Sequence, residues 1–221
     1  MNLNHIAIIM DGNRRWATLH NTSIRNGHKK GAETLMNLCK NFKKYAIPHL
    51  TVYAFSNENN RRSSEEKDNI FSMLEEYLDG DIKKLQQENI KVQFIGDFSV
   101  FSQKIQEKIT KIHSITHKNP FYTLNVALNY GGRQEICYAF SKIQKRDITD
   151  KDVSQNLYQP NIPDVDFLIR TGGMQRLSNF LTWQTTYAEL YFCKCLWPDF
   201  NEHEFKTALD FYQIQQRNFG Y

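Results

Sequence analysis

Seven arginines fall into three segments of the sequence, and their spacing is typical of a binding site for a polyanion. The guanidinium group is a planar fork of N–H donors that matches phosphate oxygens. Arg170, Arg176 and Ser178 lie within nine residues around a pair of glycines, as a diphosphate pocket needs. Any one arginine could instead be a solvated surface residue, but for the set we favour a polyanion site. The seven are Arg14, Arg15, Arg25, Arg61, Arg62, Arg170 and Arg176.

The segment from Asp11 to Trp16 could hold a metal ion and a phosphate side by side. Asp11 follows an apolar run, and Gly12 lets the backbone approach a ligand closely. The amides from Asn13 onward could open a helix whose N–H groups bind phosphate. Mg²⁺ takes one or two protein carboxylates and completes its shell with substrate phosphates, so Asp11 is enough. Taken alone, the tripeptide Asp11-Gly12-Asn13 is better explained as an ordinary Asp-Gly turn.

The remaining candidate motifs give weaker or negative signals. His28 follows Arg25 just before a predicted helix, and the structural role usual for a lone histidine and a role as phosphate donor are about equally supported. The sequence has no GxxxxGK[ST] and no GxGxxG segment, which argues against a nucleotide P-loop or a dinucleotide site. Its four cysteines have neither CxxC nor zinc spacing, so a metal cluster or redox motif is not expected.

Composition predicts one α/β domain over residues 1–221. With 40% hydrophobic residues the chain can bury one sizeable core, whereas 221 residues are few for two full domains. A net charge of +4 is too small to indicate nucleic-acid binding without a localised patch. The apolar stretch from Ile6 to Met10 suits neither a signal peptide nor a membrane span. We expect a soluble cytoplasmic protein with reduced thiols, and contact with the inner face of a membrane stays open.

Short apolar runs alternate with helical patterns, which predicts a central, mostly parallel sheet of about six strands flanked by helices. The longest periodic segment, from Ile70 to Leu85, predicts an amphipathic helix with Ser63 and Glu66 as its capping box. Two more helices are predicted from Ala32 to Phe42 and from Ile105 to Ile112. The predicted strands are Ile6–Met10, Leu50–Phe55, Val92–Ile95, Tyr122–Leu128, Phe167–Ile169 and Leu190–Cys193.

Four of these strands run directly into polar segments. Because the carboxyl ends of parallel strands meet at one edge of the sheet, where ligands bind, we expect these segments to form one site. A hydrocarbon substrate would also need an apolar channel, which the long amphipathic helix could cover, although apolar residues at that spacing are more often core. The four segments are Asp11–Arg15, Ser56–Asn59, Asn129–Arg133 and Arg170–Gly173.

Taken together, these segments resemble the undecaprenyl diphosphate synthase family of cis-prenyltransferases over nearly the whole chain. Five motifs occur in order at the family's spacing. The sequence departs from the usual family pattern at Asn60, where many members have Trp, and at Met174, where Glu is usual. The motifs are His5–Ala17, Gly27–His28, Tyr53–Asn59, Asn129–Arg133 and the stretch from Ile169–Gly173 through Trp197–Phe200.

The resemblance implies the cis-prenyltransferase fold and a Mg²⁺-dependent condensation of isopentenyl diphosphate with an allylic diphosphate, farnesyl diphosphate being expected. The product would be a long Z-polyprenyl diphosphate, expected to be undecaprenyl diphosphate, the lipid-carrier precursor for cell-wall glycans. By the resemblance Asp11 and Asn59 would be catalytic, and Asp11 and Glu189 would lie at the metal. The implied substrate-binding residues are Gly12, Asn13, Arg14, Arg15, Trp16, Arg25, His28, Ser56, Asn57, Glu58, Asn60, Arg62, Arg170, Arg176 and Ser178.

Partners are predicted from the same evidence. A homodimer is expected through the segment from Trp183 to Phe211, whose large apolar residues exceed what one strand and one helix readily bury. Transient contact with a membrane surface would serve product release. Nucleic acid is not expected, because the basic residues sit in loops rather than along one stripe. The alternative function is a non-catalytic partner subunit of a heteromeric cis-prenyltransferase, which retention of Asp11, Arg170, Arg176 and Ser178 disfavours.

Overall fold

The computed structural model describes residues 3–61, 64–80, 88–119 and 122–216. Within them, six strands form one sheet in which every pairing is parallel, in the order β3-β4-β2-β1-β5-β6. The predicted α/β fold class and the strand number are therefore confirmed. The strands are β1 His5–Ile9, β2 His49–Ser56, β3 Ile90–Ile95, β4 Tyr122–Tyr130, β5 Phe167–Arg170 and β6 Glu189–Phe192.

Both faces of the sheet are buried, as is typical of parallel strands. The long helices α2 and α3 contribute Leu38, Phe42 and Leu78 to the larger apolar core, while Phe180 and Leu181 pack in a second core that contains the other side of β1. The helices are α1 Asn13–Leu19, α2 Ile24–Tyr45, α3 Ser64–Gly80, α4 Gln103–Thr116, α5 Gly132–Lys142, α6 Asp150–Gln155 and α7 Glu202–Gln213.

Strand β1 explains why the sheet has two buried faces. All five of its residues are buried, with Ile6 and Ile8 in the larger core and Ala7 and Ile9 in the second core. A strand that is apolar on both sides is typical of the centre of a parallel sheet, whereas an exposed face would alternate with polar residues. The register places Ile9 beside Arg170, so that β1 and β5 reach the carboxyl edge together.

The helix predicted from Ile70 to Leu85 is confirmed in its described part, because α3 runs from Ser64 to Gly80. Ser63 of the predicted capping box, and the predicted turn that holds Ile82 and Leu85, lie outside the described residues. The helix predicted from Ala32 to Phe42 is the second half of α2. Across the described ranges, no helix combines the length and apolar character needed to cross a bilayer.

The apolar residues toward the C-terminus are mostly buried within the chain itself. Trp197, Phe200 and Phe205 belong to the larger core, and the indole Nε1 of Trp197 donates to the carbonyl of Gly31 at 2.8 Å. These residues cannot also form a contact surface. The surplus predicted for the segment is therefore smaller than the sequence indicated, and its exposed members are Tyr187 (66% exposed) and Leu190 (39%), on and beside the edge strand β6.

Candidate active site

Two charged residues from neighbouring strands meet at the carboxyl edge of the sheet. Asp11 follows β1, and Arg170 is the last residue of β5. One guanidinium nitrogen of Arg170 lies 3.0 Å from Asp11 Oδ2, and Arg15 Nη2 lies 3.1 Å from Asp11 Oδ1. Both oxygens of the carboxylate therefore face arginine donors, and the carboxylate itself is only partly buried.

Arg170 also holds the loop that follows it. Its Nη1 donates to the carbonyl oxygen of Arg176 and to Ser178 Oγ at 2.7 Å, and its side chain is only 5% exposed. Arg176 and Ser178 are both exposed to solvent. The buried Nε of Arg170 makes no hydrogen bond within the described ranges. The loop thus presents Arg176 and Ser178 to solvent while Arg170 anchors it from below.

The backbone around Asp11 is fixed by residues that the sequence did not single out. Thr171 Oγ1 donates to the Asp11 carbonyl at 2.7 Å, and the Trp197 amide donates to the same oxygen at 3.1 Å. Gly172 has a φ of 82°, and a Cβ there would lie 2.3 Å from the nearest guanidinium nitrogen of Arg15. Arg15 Nη1 donates to the Gly172 carbonyl at 2.7 Å, so a side chain at this position would be strained by the positive φ and would displace the Arg15 guanidinium.

Helix α1 begins directly after Gly12 and packs closely on α2. A Cβ at Gly27 would lie 2.4 Å from the Asn13 carbonyl oxygen, and one at Gly31 would lie 2.3 Å from Asn13 Oδ1. Only glycine at these two positions lets the helices approach so closely. Asn13 is thereby placed between the helices, and its buried Oδ1 makes no hydrogen bond in the part of the chain that the structure describes.

A second polar cluster joins the loops after β2, β4 and β5. Asn179 Nδ2 donates to Glu58 Oε1 at 2.8 Å and to Gln134 Oε1 at 3.0 Å. Asn57 Nδ2 donates to Asn129 Oδ1 at 3.3 Å. Since Asn179 directly follows Ser178, this cluster continues the chain of contacts from Asp11 and Arg170. The structure therefore brings all four predicted segments to one edge of the sheet.

Comparison with known proteins agrees with this geometry. A sequence model of the undecaprenyl diphosphate synthase family of prenyltransferases matches residues 9–220. The chain belongs to this family. It is 44% identical over 225 residues to the ditrans,polycis-undecaprenyl-diphosphate synthase ((2E,6E)-farnesyl-diphosphate specific) of Haemophilus influenzae, which covers 98% of this chain and 94% of that protein. It is 43% identical over 222 residues to an isoprenyl transferase of Rickettsia sibirica, covering 99% and 98%.

A solved structure of another prenyl diphosphate synthase has the same fold. The lavandulyl diphosphate synthase of Lavandula x intermedia, in complex with dimethylallyl diphosphate, superposes with a TM-score of 0.93 at 33% identity. The alignment covers 99% of this chain and 98% of that one. The cis-prenyltransferase fold that the sequence resemblance implied is therefore confirmed.

Several other predicted site residues of this family member lie on the segments after β1 and β2 and on α2. Ser56 ends β2, and Asn59 lies in the 3₁₀ turn Asn57–Arg61 that follows. Arg14 is exposed on α1, and the half-buried His28 lies on α2. The Trp16 indole donates to Asp199 Oδ1 at 2.7 Å. The side chain of Asn60 and the whole of Arg62 lie outside the described residues.

Arg25 is engaged elsewhere in this structure. Its guanidinium forms an ion pair with Glu76 on α3, and both side chains are more than half exposed. The pair links the first turn of α2 to the helix that covers the larger core. The Arg25 guanidinium can bind a diphosphate only if it contacts Glu76 and the diphosphate together or if the ion pair with Glu76 breaks.

The placement of Glu189 near the same metal as Asp11 needs correction. Glu189 is the first residue of β6 and pairs with Phe167, the first residue of β5. Asp11 lies beyond the other end of β1, at the level that Arg170 reaches. Within one chain the two carboxylates are therefore at opposite edges of the sheet and do not share an ion. Over the residues described, no group of three or more His, Cys, Asp or Glu side chains forms a metal cluster.

A buried acid, Glu135, supports the loop after β4 and was not among the predicted residues. Glu135 on α5 is almost fully buried, accepts hydrogen bonds from the Tyr130 hydroxyl and, at 2.9 Å, from Gln184 Nε2, and accepts the Tyr158 amide at 3.1 Å. Burial raises the pKa of the Glu135 carboxyl, and burial beside Glu135 raises the pKa of Tyr130. Glu135 lies two residues beyond the predicted motif Asn129–Arg133, so only its closeness to that motif could have indicated it. Glu135 fixes the base of the loop that carries Gly131 and Gly132.

Proposed function

We propose that this chain is an undecaprenyl diphosphate synthase that condenses isopentenyl diphosphate with farnesyl diphosphate to build a long Z-polyprenyl diphosphate. The observation that carries the proposal is the contact of Asp11 with Arg15 and Arg170 at the carboxyl edge of the sheet. A partly exposed carboxylate held by two guanidinium groups, with further donors at Arg176 and Ser178, suits two diphosphates bound side by side.

The allylic diphosphate is assigned to the Asp11 side of this cluster. The backbone from Gly12 to Arg15, together with Arg25 and His28, would hold its oxygens. Trp16 and Arg14 would complete that wall of the site from helix α1. The apolar tail would extend under α3, where Phe55, Phe71 and Phe101 contact one another through their rings.

Isopentenyl diphosphate is assigned to the loop after β5. Arg176 and Ser178 are exposed and would contact its diphosphate directly, while Arg170 would donate from the buried side. Arg170 would therefore both contact the diphosphate of isopentenyl diphosphate and orient the Asp11 carboxylate. The loop after β2, with Asn57, Glu58, Asn59, Asn60 and Arg62, would close over both substrates.

The residues present fit a magnesium ion. Asp11 supplies one hard carboxylate ligand at a strand end, and the surrounding arginines would hold the diphosphate oxygens that complete the shell. When bound, Mg²⁺ would neutralise charge that develops on the leaving diphosphate. The chain's own contribution is to hold that diphosphate through preorganised N–H and guanidinium donors.

The reaction then follows from these positions. The C1–O bond of the allylic diphosphate breaks, and the diphosphate leaves with the bonding electrons into the arginine and amide donors. The isopentenyl double bond forms the new bond to the allylic C1, and loss of a proton from C2 of the isopentenyl unit restores a double bond. The product keeps the diphosphate of isopentenyl diphosphate, and repetition lengthens the chain.

The homodimer is proposed through the edge strand β6. Tyr187 and Leu190 are its exposed large apolar residues, and two-fold pairing would bury the same patch on each copy. Because Trp197 lies in the chain's own core, a charge there would disrupt folding rather than assembly. Leu190→Asp is the suitable test, and light scattering should show a dimer of the 26.1 kDa chain shifting toward monomer. A wild-type monomer at micromolar concentration would exclude the proposal.

The proposed activity is tested by incubating the protein with radiolabelled isopentenyl diphosphate, farnesyl diphosphate and Mg²⁺ and measuring the chain length of the extracted product. Label in a long polyprenyl diphosphate is expected, with none in excess chelator. No incorporation by well-folded protein would favour a non-catalytic partner subunit, which the intact Asp11 and Arg170 cluster argues against. A cytoplasmic location with peripheral membrane contact is proposed with this activity, because the product has a long apolar tail.

A further inference from the structure

The positive charge of the molecule is concentrated in one helical hairpin. Residues 12–32 contain five arginines and lysines and no aspartate or glutamate, although Asp11 and Glu33, just outside this stretch, pair with Arg15 and Lys30. Since the chain has 28 basic and 24 acidic residues, the remainder holds 23 basic and 24 acidic residues and is nearly neutral. The localised basic patch that the composition alone did not reveal is therefore the α1–α2 hairpin.

The same hairpin exposes aliphatic side chains at its tip. Leu19 ends α1 and is 71% exposed, and Ile24 begins α2 and is 49% exposed. The turn between them is tight, because the Thr22 amide donates to the Ala17 carbonyl at 2.9 Å. Single exposed aliphatic residues are ordinary on protein surfaces, but two at one tip beside a basic patch need an explanation.

An open depression lies along the hairpin, with a cavity volume of about 370 Å³. Trp16 of α1 and His20, directly after this helix, form one wall, their rings stacked with centroids 4.0 Å apart. Asn26, Lys29, Lys30 and Glu33 from α2 form the other wall, where Glu33 pairs with Lys30 at 3.4 Å. The depression therefore combines two ammonium groups, one carboxylate, an amide and aromatic rings next to the aliphatic tip.

We propose that the hairpin tip, defined as Leu19, Ile24, Lys29 and Lys30, docks the protein on a membrane surface that carries anionic lipid. The aliphatic pair would enter the interface while the lysines meet headgroup phosphates, a pairing of apolar and basic residues that interfacial segments use. Charge complementarity selects an anionic surface. Nucleic acid fits less well, because exposed leucine and isoleucine do not read bases or phosphates.

The position of the tip indicates what membrane docking would do for the enzyme, and this part of the inference rests on the proposed function. Helix α1 begins beside Asp11, and α2 is linked to α3 through the Arg25 and Glu76 ion pair. The docked tip would hold the substrate edge of the sheet and the apolar space under α3 close to lipid. A growing polyprenyl tail could then leave for the bilayer without crossing water.

Flotation of the purified full chain with vesicles tests the proposal. Wild type should float with phosphatidylglycerol-containing vesicles, float poorly with pure phosphatidylcholine vesicles, and lose binding as salt is raised. Lys29→Glu with Lys30→Glu should weaken binding by roughly 30-fold or more, from about fivefold for each lysine lost. Leu19→Asp with Ile24→Asp should weaken it comparably. A matched control is Ile148→Asp with Lys151→Glu, which changes an exposed isoleucine and an exposed lysine elsewhere.

Each outcome decides the matter. Failure of wild type to float with anionic vesicles overturns the proposal, and so does flotation of both hairpin variants equal to that of wild type. Equally salt-sensitive binding to generic duplex DNA would show that the patch serves nucleic acid instead. Product formation in detergent, measured on the same variants, should stay within about twofold of wild type, since none of the four residues is assigned to the reaction. Flotation without any product formation would keep the docking surface and reject the proposed activity.

Discussion

The two edges of the sheet carry polar residues of different kinds. At the carboxyl edge, Asp11 and Arg170 are charged, and Asp11 stays partly exposed. At the amino edge, His5 and Thr51 are fully buried and hydrogen-bonded to each other through His5 Nε2 and Thr51 Oγ1 at 2.6 Å, and Asn125 Nδ2 lies 3.0 Å from the same hydroxyl. The carboxyl edge holds a partly exposed ion pair, whereas the His5, Thr51 and Asn125 cluster at the amino edge is buried.

The protonation and hydrogen bonding of His5 indicate that the amino edge has a structural role. Burial is the largest cause that lowers the pKa of His5 to about 4, and its Nδ1 contacts the Pro163 carbonyl at 2.7 Å. Both ring nitrogens of the neutral imidazole are therefore used within the fold, leaving nothing for a ligand. The polar groups of the amino edge fix the alignment of β1 with its neighbours, whereas the ion pairs of the carboxyl edge can be exchanged for a ligand's charges. Substitutions at the two edges should accordingly separate activity from stability.

The largest expected effect is on turnover, from Asp11→Asn. The amide keeps the size of the side chain but removes the charge that metal and diphosphate chemistry needs, so the rate should fall roughly 10³-fold. Thermal unfolding should change little, because an amide oxygen can still accept from Arg170. Steady-state product formation and a melting curve measure both. As a control, Asp147→Asn at an exposed position should leave both unchanged. Near-normal turnover in Asp11→Asn would contradict the assignment of Asp11.

The counterpart at the amino edge is a pH effect on stability that depends on His5. Its folded pKa of about 4 lies below the ordinary value of 6.5, so between these values the unfolded state binds more protons. This histidine's share of the stability is complete above pH 6.5 and falls as the pH drops toward 4, by about 3 kcal/mol in all. Urea unfolding of wild type and His5→Asn from pH 4.5 to 7.5 should give curves that converge at low pH. Parallel curves would show that His5 is not a buried neutral group.

A third comparison lies within the carboxyl edge, between Arg176 and Arg170. Arg176 is exposed, so Arg176→Ala should weaken isopentenyl diphosphate binding about 10- to 100-fold and leave farnesyl diphosphate binding unchanged. Arg170→Ala should weaken both, because Arg170 also holds Asp11 and the loop. Calorimetric titration of each ligand distinguishes the two variants. Equal losses for both ligands in Arg176→Ala would mean that the two diphosphate subsites are misassigned.

The strands and the site segments could be predicted because each is a local pattern. The strand from Ile6 to Met10 differs from the observed His5–Ile9 by one residue at each end. Asp11 and Arg170 are 159 residues apart, yet the rule that parallel strands share a carboxyl edge was sufficient to place them together.

What the sequence could not give was register and burial. The position of Glu189 depends on its pairing with Phe167, which no local pattern encodes, and the resemblance that implied a place at the metal did not fix this register. Trp197 was assigned to a dimer surface because an apolar residue looks the same whether it packs inside or outside. Thr171 lies inside a predicted segment but was not predicted as a site residue, and Asn179 was not predicted at all, because a hydroxyl or amide that positions a loop has no spacing signature.

The smallest expected effect tests whether the exposed ion pair between Arg25 on α2 and Glu76 on α3 can be exchanged for a ligand's charge. Arg25 and Glu76 are both more than half exposed, and such pairs contribute little to stability, so Glu76→Gln should not alter the melting temperature measurably. If Arg25 binds the allylic diphosphate, removing the competing carboxylate should tighten farnesyl diphosphate binding by about two- to fivefold at low salt, with the gain shrinking at high salt. Glu33→Gln, whose carboxylate pairs with Lys30 on α2, is the matched control and should leave this binding unchanged. Unchanged or weaker binding in Glu76→Gln would remove Arg25 from the allylic site. At the amino edge, the Asp166 carboxylate accepts hydrogen bonds from the backbone amides of Asn4 and His5. The corresponding substitution there, Asp166→Asn, should lower the melting temperature and leave substrate binding unaltered. Opposite responses to the same kind of substitution would establish that the two edges differ in exchangeability and not merely in exposure.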